Sequence, residues 1–191
     1  MSVRLGILVT HPIQYYAPWF RYLADRMDVE VFYAHRQGKK GQRDAGFDVE
    51  FEWDIDLLKG YPHHWLTNVA QNPDATTFFG CDTPGIYDVV RGGGFDAFLV
   101  IGWHYKSALQ AIHACKRNDI PVLMRGDSHL YTSRSLWKRA LKFLPYRFFL
   151  PQLNAHLYVG LRNREYLQHY GVQDDQLYFS PHFVDTEFFH R

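Results

Sequence analysis

Apolar residues along this chain fall into short runs that alternate with stretches of helical spacing. The run 5–9 is bounded by Thr10, His11 and Pro12, and residues 15–27 follow with apolar positions at helical intervals. This reads as a buried strand feeding a helix. A second run, 29–34, comes directly after, so the first stretch of chain is strand, helix, strand. Residues 35–46 are polar, basic and glycine-containing, a surface loop, and 47–55 alternate weakly in the manner of a strand. Residues 57–82, carrying His63, His64, Trp65 and Asn68, have no clean period and receive no assignment. Order resumes with a helix from Pro84 to about Arg91, closed by the glycines at 92–94. Next come a strand at 97–101, a helix at 105–116 and a strand at 122–125 entered through Pro121. A strand at 155–159, a helix at 162–170 ending at Gly171 and an extended piece at 176–179 complete the series. Repeated alternation of this kind predicts an α/β fold, a Rossmann-like parallel sheet with helices on both faces.

Composition narrows the picture. With 191 residues, 47% of them hydrophobic and 21% charged, the chain has material for one core, and a single domain over 1–191 is expected. A formal charge of +1 argues against a nucleic-acid binder that depends on an overall basic field. Cys81 and Cys115 are too few for a disulfide scaffold and lack metal-ligand spacing, which fits a reducing cytosol. No apolar run is long enough to cross a bilayer, so any membrane contact is expected at the periphery.

Ligands of an open parallel sheet collect beyond the C-terminal strand ends, near the point where strand order reverses. That rule selects the loops 10–16, 102–105, 126–131 and 160–163. The first offers His11, Gln14, Tyr15 and Tyr16 at the start of a helix, where backbone N–H groups favour an anion. It has no GxGxxG, so no dinucleotide cofactor is expected. The second places Gly102, Trp103 and His104 after an apolar strand: a flat face for a sugar ring beside a candidate base. The third gathers Arg125, Asp127, Ser128 and His129 into five positions, with Asp127 and His129 candidates for orienting a hydroxyl and Arg125 for pairing with Asp127 or an anion. Each set also has a plain structural reading as helix-start core, turn bond or internal ion pair. No cluster with metal-ligand spacing occurs.

Residues 128–164 contain no Asp or Glu but hold Arg134, Lys138, Arg139, Lys142, Arg147, Arg162 and Arg164. Trp137, Leu141, Leu144 and Phe148 recur at helical spacing in the same stretch, with Phe143 between them, so one helix is basic on one side and apolar on another. Such a helix suits an anionic membrane surface, with Trp137, Lys138, Arg139, Lys142 and Phe143 at the headgroups, and equally an ordinary helix packed on the core. Pro145 is expected to end or kink it.

The loop 11–16 after its strand, the segments 95–116 and 120–127, and above all 160–189 (GLRNREYL through Gly171, then SPHFVDTEFF) together resemble the N-terminal domain of family-4-type retaining glycosyltransferases of the GT-B fold. The last segment is similar to that family's closing strand–helix–strand followed by its P-N-x-V-D crossing. The resemblance implies that this chain binds the acceptor, while a C-terminal domain or subunit, absent here, grips a nucleotide sugar without a catalytic metal. It also implies that loop 10–16 faces the donor phosphates and that the loop after Met124 lies beside the reacting centre. Two departures stand out: Gly126 occupies a place where many relatives have histidine, and His182 one where asparagine is usual.

The expected function is therefore the acceptor half of an enzyme moving a sugar from a nucleotide sugar to a polysaccharide or lipid-linked acceptor. The cytoplasm is its expected site, with peripheral contact at the inner membrane face. The alternatives are half of a GT-B sugar-nucleotide epimerase, and a non-catalytic module binding glycan or membrane.

Overall fold

The computed structural model describes residues 2–36, 56–131 and 136–183, apart from the side chains of 136 and 138–140. In chain order the elements are β1 (Arg4–Val9), α1 (Ala17–Ala24), β2 (Asp28–Tyr33), β3 (His63–Trp65), α2 (Ile86–Gly92), β4 (Ala97–Ile101), α3 (Lys106–Arg117), β5 (Val122–Gly126), α4 (Leu136–Phe149), β6 (Ala155–Tyr158), α5 (Leu161–His169) and β7 (Leu177–Phe179). The strands form one sheet in the order β3-β2-β1-β4-β5-β6-β7, and every neighbouring pair is parallel. Ile7 sits in register with Val31 on one side and Leu99 on the other. The chain starts at the centre, builds outward to β3, then returns to build the other half from β4, so strand order reverses between β1 and β4.

Side chains alternate across the pleat and split the core in two. Leu8, Phe32, Phe98, Val100 and Met124 point to the side where Ile86 and Val90 of α2 and Ala108, Ala111 and Ile112 of α3 pack. Ile7, Val9, Val31, Leu99 and Ile101 point to the other side, beneath Ala17 and Phe20 of α1. A third cluster joins Leu150, Tyr166, Leu167 and Tyr170, with Tyr146 and Phe149 of α4 packed against it. The expected Rossmann-like sheet with helices on both faces is the fold observed.

Three details differ from the sequence reading. The first helix is shorter than 15–27: Tyr16 and Ala17 close a turn on the Ile13 carbonyl before Pro18, and after Ala24 the N–H groups of Arg26 and Met27 fold back onto Leu23. The unassigned segment 57–82 contains β3, an edge strand of three residues that is too brief to show a period. Finally, α4 continues through Pro145, because Tyr146 and Phe149 are packed against the third cluster and carry the helix past the missing N–H donor. The expected strand at 47–55 lies outside the described residues.

Candidate functional site

Because β1, β4, β5 and β6 are parallel neighbours, the loops that leave their C-terminal ends line one rim of the sheet. The two halves of that rim are tied together below the surface. Gly102 N–H donates to the Arg125 carbonyl at 2.8 Å, joining the β4 and β5 loops. At Gly126 an added Cβ would stand 2.9 Å from Cζ3 of Trp103, so only glycine lets that indole lie flat on the β5 end. Gly102 has φ +76, a left-handed turn that brings the chain round to Trp103. Trp103 stacks on Tyr166 of α5 and meets Tyr146 of α4 edge-on, with centroids 6.3 Å away in both cases. One side of its ring thus belongs to the protein.

Arg125 and Tyr16 lie beneath the rim rather than on it. Arg125 is only 2% exposed. Its Nη1 donates to the Tyr16 hydroxyl at 3.2 Å, and its Nη2 donates to the carbonyls of Ser180 and Pro181 at 3.2 and 3.0 Å. Its guanidinium also lies 5.3 Å from the Tyr16 ring centre and 4.9 Å from that of Trp19. Among the described residues Arg125 forms no ion pair, so the Arg125–Asp127 bridge weighed from the sequence does not form. Burial pushes the Tyr16 phenol up to about 12, with the Arg125 guanidinium pulling it down and the Asp127 carboxylate pushing it up. Tyr16 therefore stays protonated at neutral pH, and the Asp127 charge is close enough for Tyr16 to feel it.

The groups left at the surface are those expected to do chemistry. Asp127, His129, His104 and Tyr15 are exposed, and His11, Gln14, Ser128, Gly102 and Trp103 are half-buried. His11 Nδ1 lies 3.0 Å from the Thr10 hydroxyl. The β5 loop is held from below by Asn163, itself buried, whose amide donates to the Ser128 carbonyl at 2.8 Å and accepts from Val159 N–H at 3.3 Å. The chain leaving β7 crosses the same rim, setting His182 edge-on to Tyr15 at 5.3 Å and Phe183 against Tyr22 at 5.8 Å. The structure therefore brings His11, Trp103 and Asp127 to one side of the molecule, as the strand pattern requires. What results is an aromatic-rich ledge on which the described residues include the Asp127 carboxylate and the imidazoles of His11, His104 and His129, a surface suited to orienting hydroxyl groups.

Two features of this rim escaped sequence reasoning. Asn163 ends the fourth loop selected from the sequence, but its role was not foreseen: its buried amide bonds disclose that it carries the β5 loop. The other feature is the segment after β3, a self-braced loop. There Asn68 accepts from the N–H groups of Ala70 and Asp82, and its own amide donates to the Gly80 carbonyl. Asp82 accepts from Lys106 at 2.6 Å and from Gln110 at 2.8 Å, which holds its carboxyl below the ordinary range. This brace fixes the loop to the start of α3, next to His104, and presents Phe79 73% exposed with Phe78 edge-on to it at 4.9 Å. The adjacent phenylalanines between polar residues and Gly80 were the available signal.

Cys81 and Cys115 are buried, and burial pushes their thiols up to about 11 and about 12, so neither is poised as a nucleophile. Among the described residues no group of three or more His, Cys, Asp or Glu side chains is arranged to hold a metal ion.

Of the residues expected at a membrane, Trp137 is 83% exposed, Lys142 reaches over the Tyr146 ring, and Phe143 turns toward His169 of α5 and the following Tyr170. Lys138 and Arg139 are helical positions of α4 whose side chains lie outside the described residues. No helix among the described residues is long and apolar enough to cross a membrane.

No family model and no curated protein sequence matches this chain. Solved structures do. A UDP-N-acetylglucosamine 2-epimerase from Rickettsia bellii superposes with a TM-score of 0.58 at 12% identity, over 95% of this chain and 45% of its own. The Anabaena protein HepE, solved in complex with UDP and glucose, gives a TM-score of 0.60 at 12% identity, over 97% of this chain and 46% of its own. The chain thus spans about half the length of these structures. Its fold is a GT-B-type Rossmann-like domain. At this identity the likeness is one of fold, and assignment to family 4 does not follow from it.

Proposed function

We propose that this chain is the acceptor-side, N-terminal half of a nucleotide-sugar enzyme, a glycosyltransferase that delivers a sugar to a polysaccharide or lipid-linked acceptor in the cytoplasm. The observation that carries the reading is the rim itself. His104 stands exposed after β4, at the strand-order reversal, and Asp127 and His129 stand exposed after its neighbour β5, on loops stapled together by Gly102, Gly126 and Asn163. The length covered in both structural neighbours, and the UDP and glucose named with one of them, support a half-enzyme that works beside a nucleotide sugar.

In this reading Asp127 accepts a hydrogen bond from the acceptor hydroxyl, and His104 or His129 relays its proton. Trp103, Gln14, His11, Tyr15 and Ser128 line the ledge on which the acceptor sugar lies. Arg125 acts one layer below, holding Tyr16 and thereby the β1 loop. A donor-binding domain or subunit closes the cleft and stabilises the departing diphosphate, the step on which such transfer depends most. No resident metal or cofactor is required.

The test is turnover with labelled nucleotide sugars, measured on this chain alone and on the longer reading frame or a reconstituted pair. Transfer is expected only when the donor half is present. Asp127→Asn in that complete enzyme is expected to lower kcat by about a hundredfold or more while leaving folding intact. Robust transfer by the chain alone, or full activity of Asp127→Asn, would overturn the reading. The similarity to a 2-epimerase favours one second reading, and the same assay separates it: an isomerised nucleotide sugar formed without any acceptor identifies an epimerase. Acceptor bound with no donor consumed identifies a binding module.

A further inference from the structure

The loop between β3 and α2 is built inside out. Its polar side chains hold it together: Asp74 accepts from the Thr76 hydroxyl at 2.7 Å and from the Thr76 N–H at 2.9 Å, and Asn68 ties Ala70, Gly80 and Asp82. Backbone bonds from Val69 to Asp82 and from Asp74 to Gly80 close it into a lobe, and an added Cβ at Gly80 would run into the Asp74 carbonyl. The phenylalanines at its tip are left in water. Phe79 and Phe78 are 73% and 40% exposed, and their rings stand perpendicular at 4.9 Å, so Phe78 buttresses Phe79. The core gains nothing from ordering two phenyl rings in solvent, and a long loop braced to present them is a binding feature.

Position and charge decide what it meets. One foot of the lobe stands at the end of β3, where the Leu66 N–H donates to the Tyr33 carbonyl of β2. The other stands at the start of α3, where the Ser107 N–H donates to the Cys81 carbonyl and Lys106 pairs with Asp82 at 2.6 Å. The lobe therefore rises from the same rim as His104. Residues 66–83 contain no Lys, Arg or His, and their two carboxylates are engaged within the protein, Asp74 by Thr76 and Asp82 by Lys106 and Gln110. A phosphate or an anionic membrane thus meets no cation on the lobe. Two rings also offer far less apolar area than a lasting protein interface needs. What suits them is an uncharged ring with an apolar C–H face and a border of hydroxyls, for which Gln71 and Asn72 stand exposed on the same lobe.

We propose that Phe79, backed by Phe78, is a stacking platform for an uncharged sugar ring of the acceptor, the C–H face of the ring lying on the phenyl and its hydroxyls meeting the amides of the lobe. The subsite deepens the acceptor-side reading and rests on it for the word acceptor, whereas sugar binding itself needs neither donor nor turnover. It selects for the neutral glycan part of an acceptor rather than for a phosphate or lipid part.

Titration of the whole chain, carrying isotope-labelled phenylalanine, tests it by magnetic resonance. The probes are methyl β-glucoside, methyl β-galactoside and methyl N-acetyl-β-glucosaminide, with inorganic phosphate as the charged control. The ring signals of Phe79 and Phe78 are expected to shift saturably with at least one glycoside and not with phosphate. Phe79→Ala should weaken that binding by about threefold to tenfold, and Phe79→Tyr should keep it. Because Phe79 is exposed, Phe79→Ala should also keep its thermal unfolding midpoint. In the complete enzyme the same variant is expected to raise the acceptor KM with little change in kcat. No saturable shift with any of the three glycosides, undiminished binding in Phe79→Ala or a stronger response to phosphate overturns the proposal. So does a dimer that Phe78→Ser/Phe79→Ser dissociates, since a second copy would then cover the rings. The two failures are distinguishable: rings that ignore sugar leave transfer by the complete enzyme untouched, and sugar bound by the rings without any transfer makes this the site of a binding module.

Discussion

Helices α3 and α4 flank the same rim and carry similar amphipathic patterns, yet they use them in opposite ways. In α3 the buried side is made of small residues, Ser107, Ala108, Ala111, Ala114 and Cys115 with Ile112, which lets the helix press closely on the sheet. In α4 Trp137, Leu141, Leu144 and Phe148 are left outside, while Tyr146 and Phe149 face the third cluster. A period of 3.6 therefore reports that a helix has two faces, while side-chain size and the neighbouring charge report which face the sheet receives. A close-packed sheet–helix seam favours alanine, whereas the row of Trp, Leu and Phe on α4 stands outside any such seam.

The contrast can be broken or sharpened by substitution, beginning with the largest effect. Ile112→Ala in α3 is expected to lower unfolding free energy by about 2 to 5 kcal/mol, read from urea midpoints, because it opens a cavity against β4. Arg125→Met, between the two helices, should cost about 1 to 3 kcal/mol by leaving the Ser180 and Pro181 carbonyls without their donor, and should raise amide exchange in residues 180–183. A comparable loss, about 1 to 3 kcal/mol, is expected for Gly126→Ala, with a change in Trp103 fluorescence, because the new methyl meets the indole.

A smaller effect comes from pH. Burial holds the His156 imidazole below its ordinary value, with the Leu150 carbonyl pulling weakly the other way. The unfolded chain then binds the proton more readily, so this contribution is complete above about pH 6.5 and declines as pH falls below it. His156→Gln should flatten the decline in urea midpoint over that window. Smallest of all, Leu141→Ser in α4 should change stability by no more than about 0.5 kcal/mol. A loss as large as that of Ile112→Ala would place the α4 stripe in a core and erase the contrast.

Much of the fold was legible because β1 and β4 are buried almost throughout and read as apolar runs, while β2, β5 and β6 keep enough apolar positions between their polar ones to be found by their place in the alternation. β3 was not, since an edge strand of three residues leaves no period and its pairing with β2 is a tertiary fact. The rim was legible as loops: once the strands were placed, parallel topology alone put His11, Trp103 and Asp127 on one edge. Which side chains stand on that edge and which lie under it was not. Arg125 and Asp127 are two residues apart, but one points beneath α1 and the other into solvent. Gly126, the last residue of β5, stands between them against the indole of Trp103, which is far away in sequence. Phe78 and Phe79 were hidden by the same limit, since bracing by Asn68 and Asp82 is visible only in three dimensions.

The grip of Arg125 has one more consequence. A single guanidinium ties the opening turn of α1, through Tyr16, to the segment after β7, through the Ser180 and Pro181 carbonyls, so the first loop and the chain at 180–181 share one anchor. A displacement at Ser180 or Pro181 is therefore expected to reach Tyr16 through Arg125 as well as the sheet through the Ser180 N–H on Tyr158, as a tug on a bridle reaches the bit.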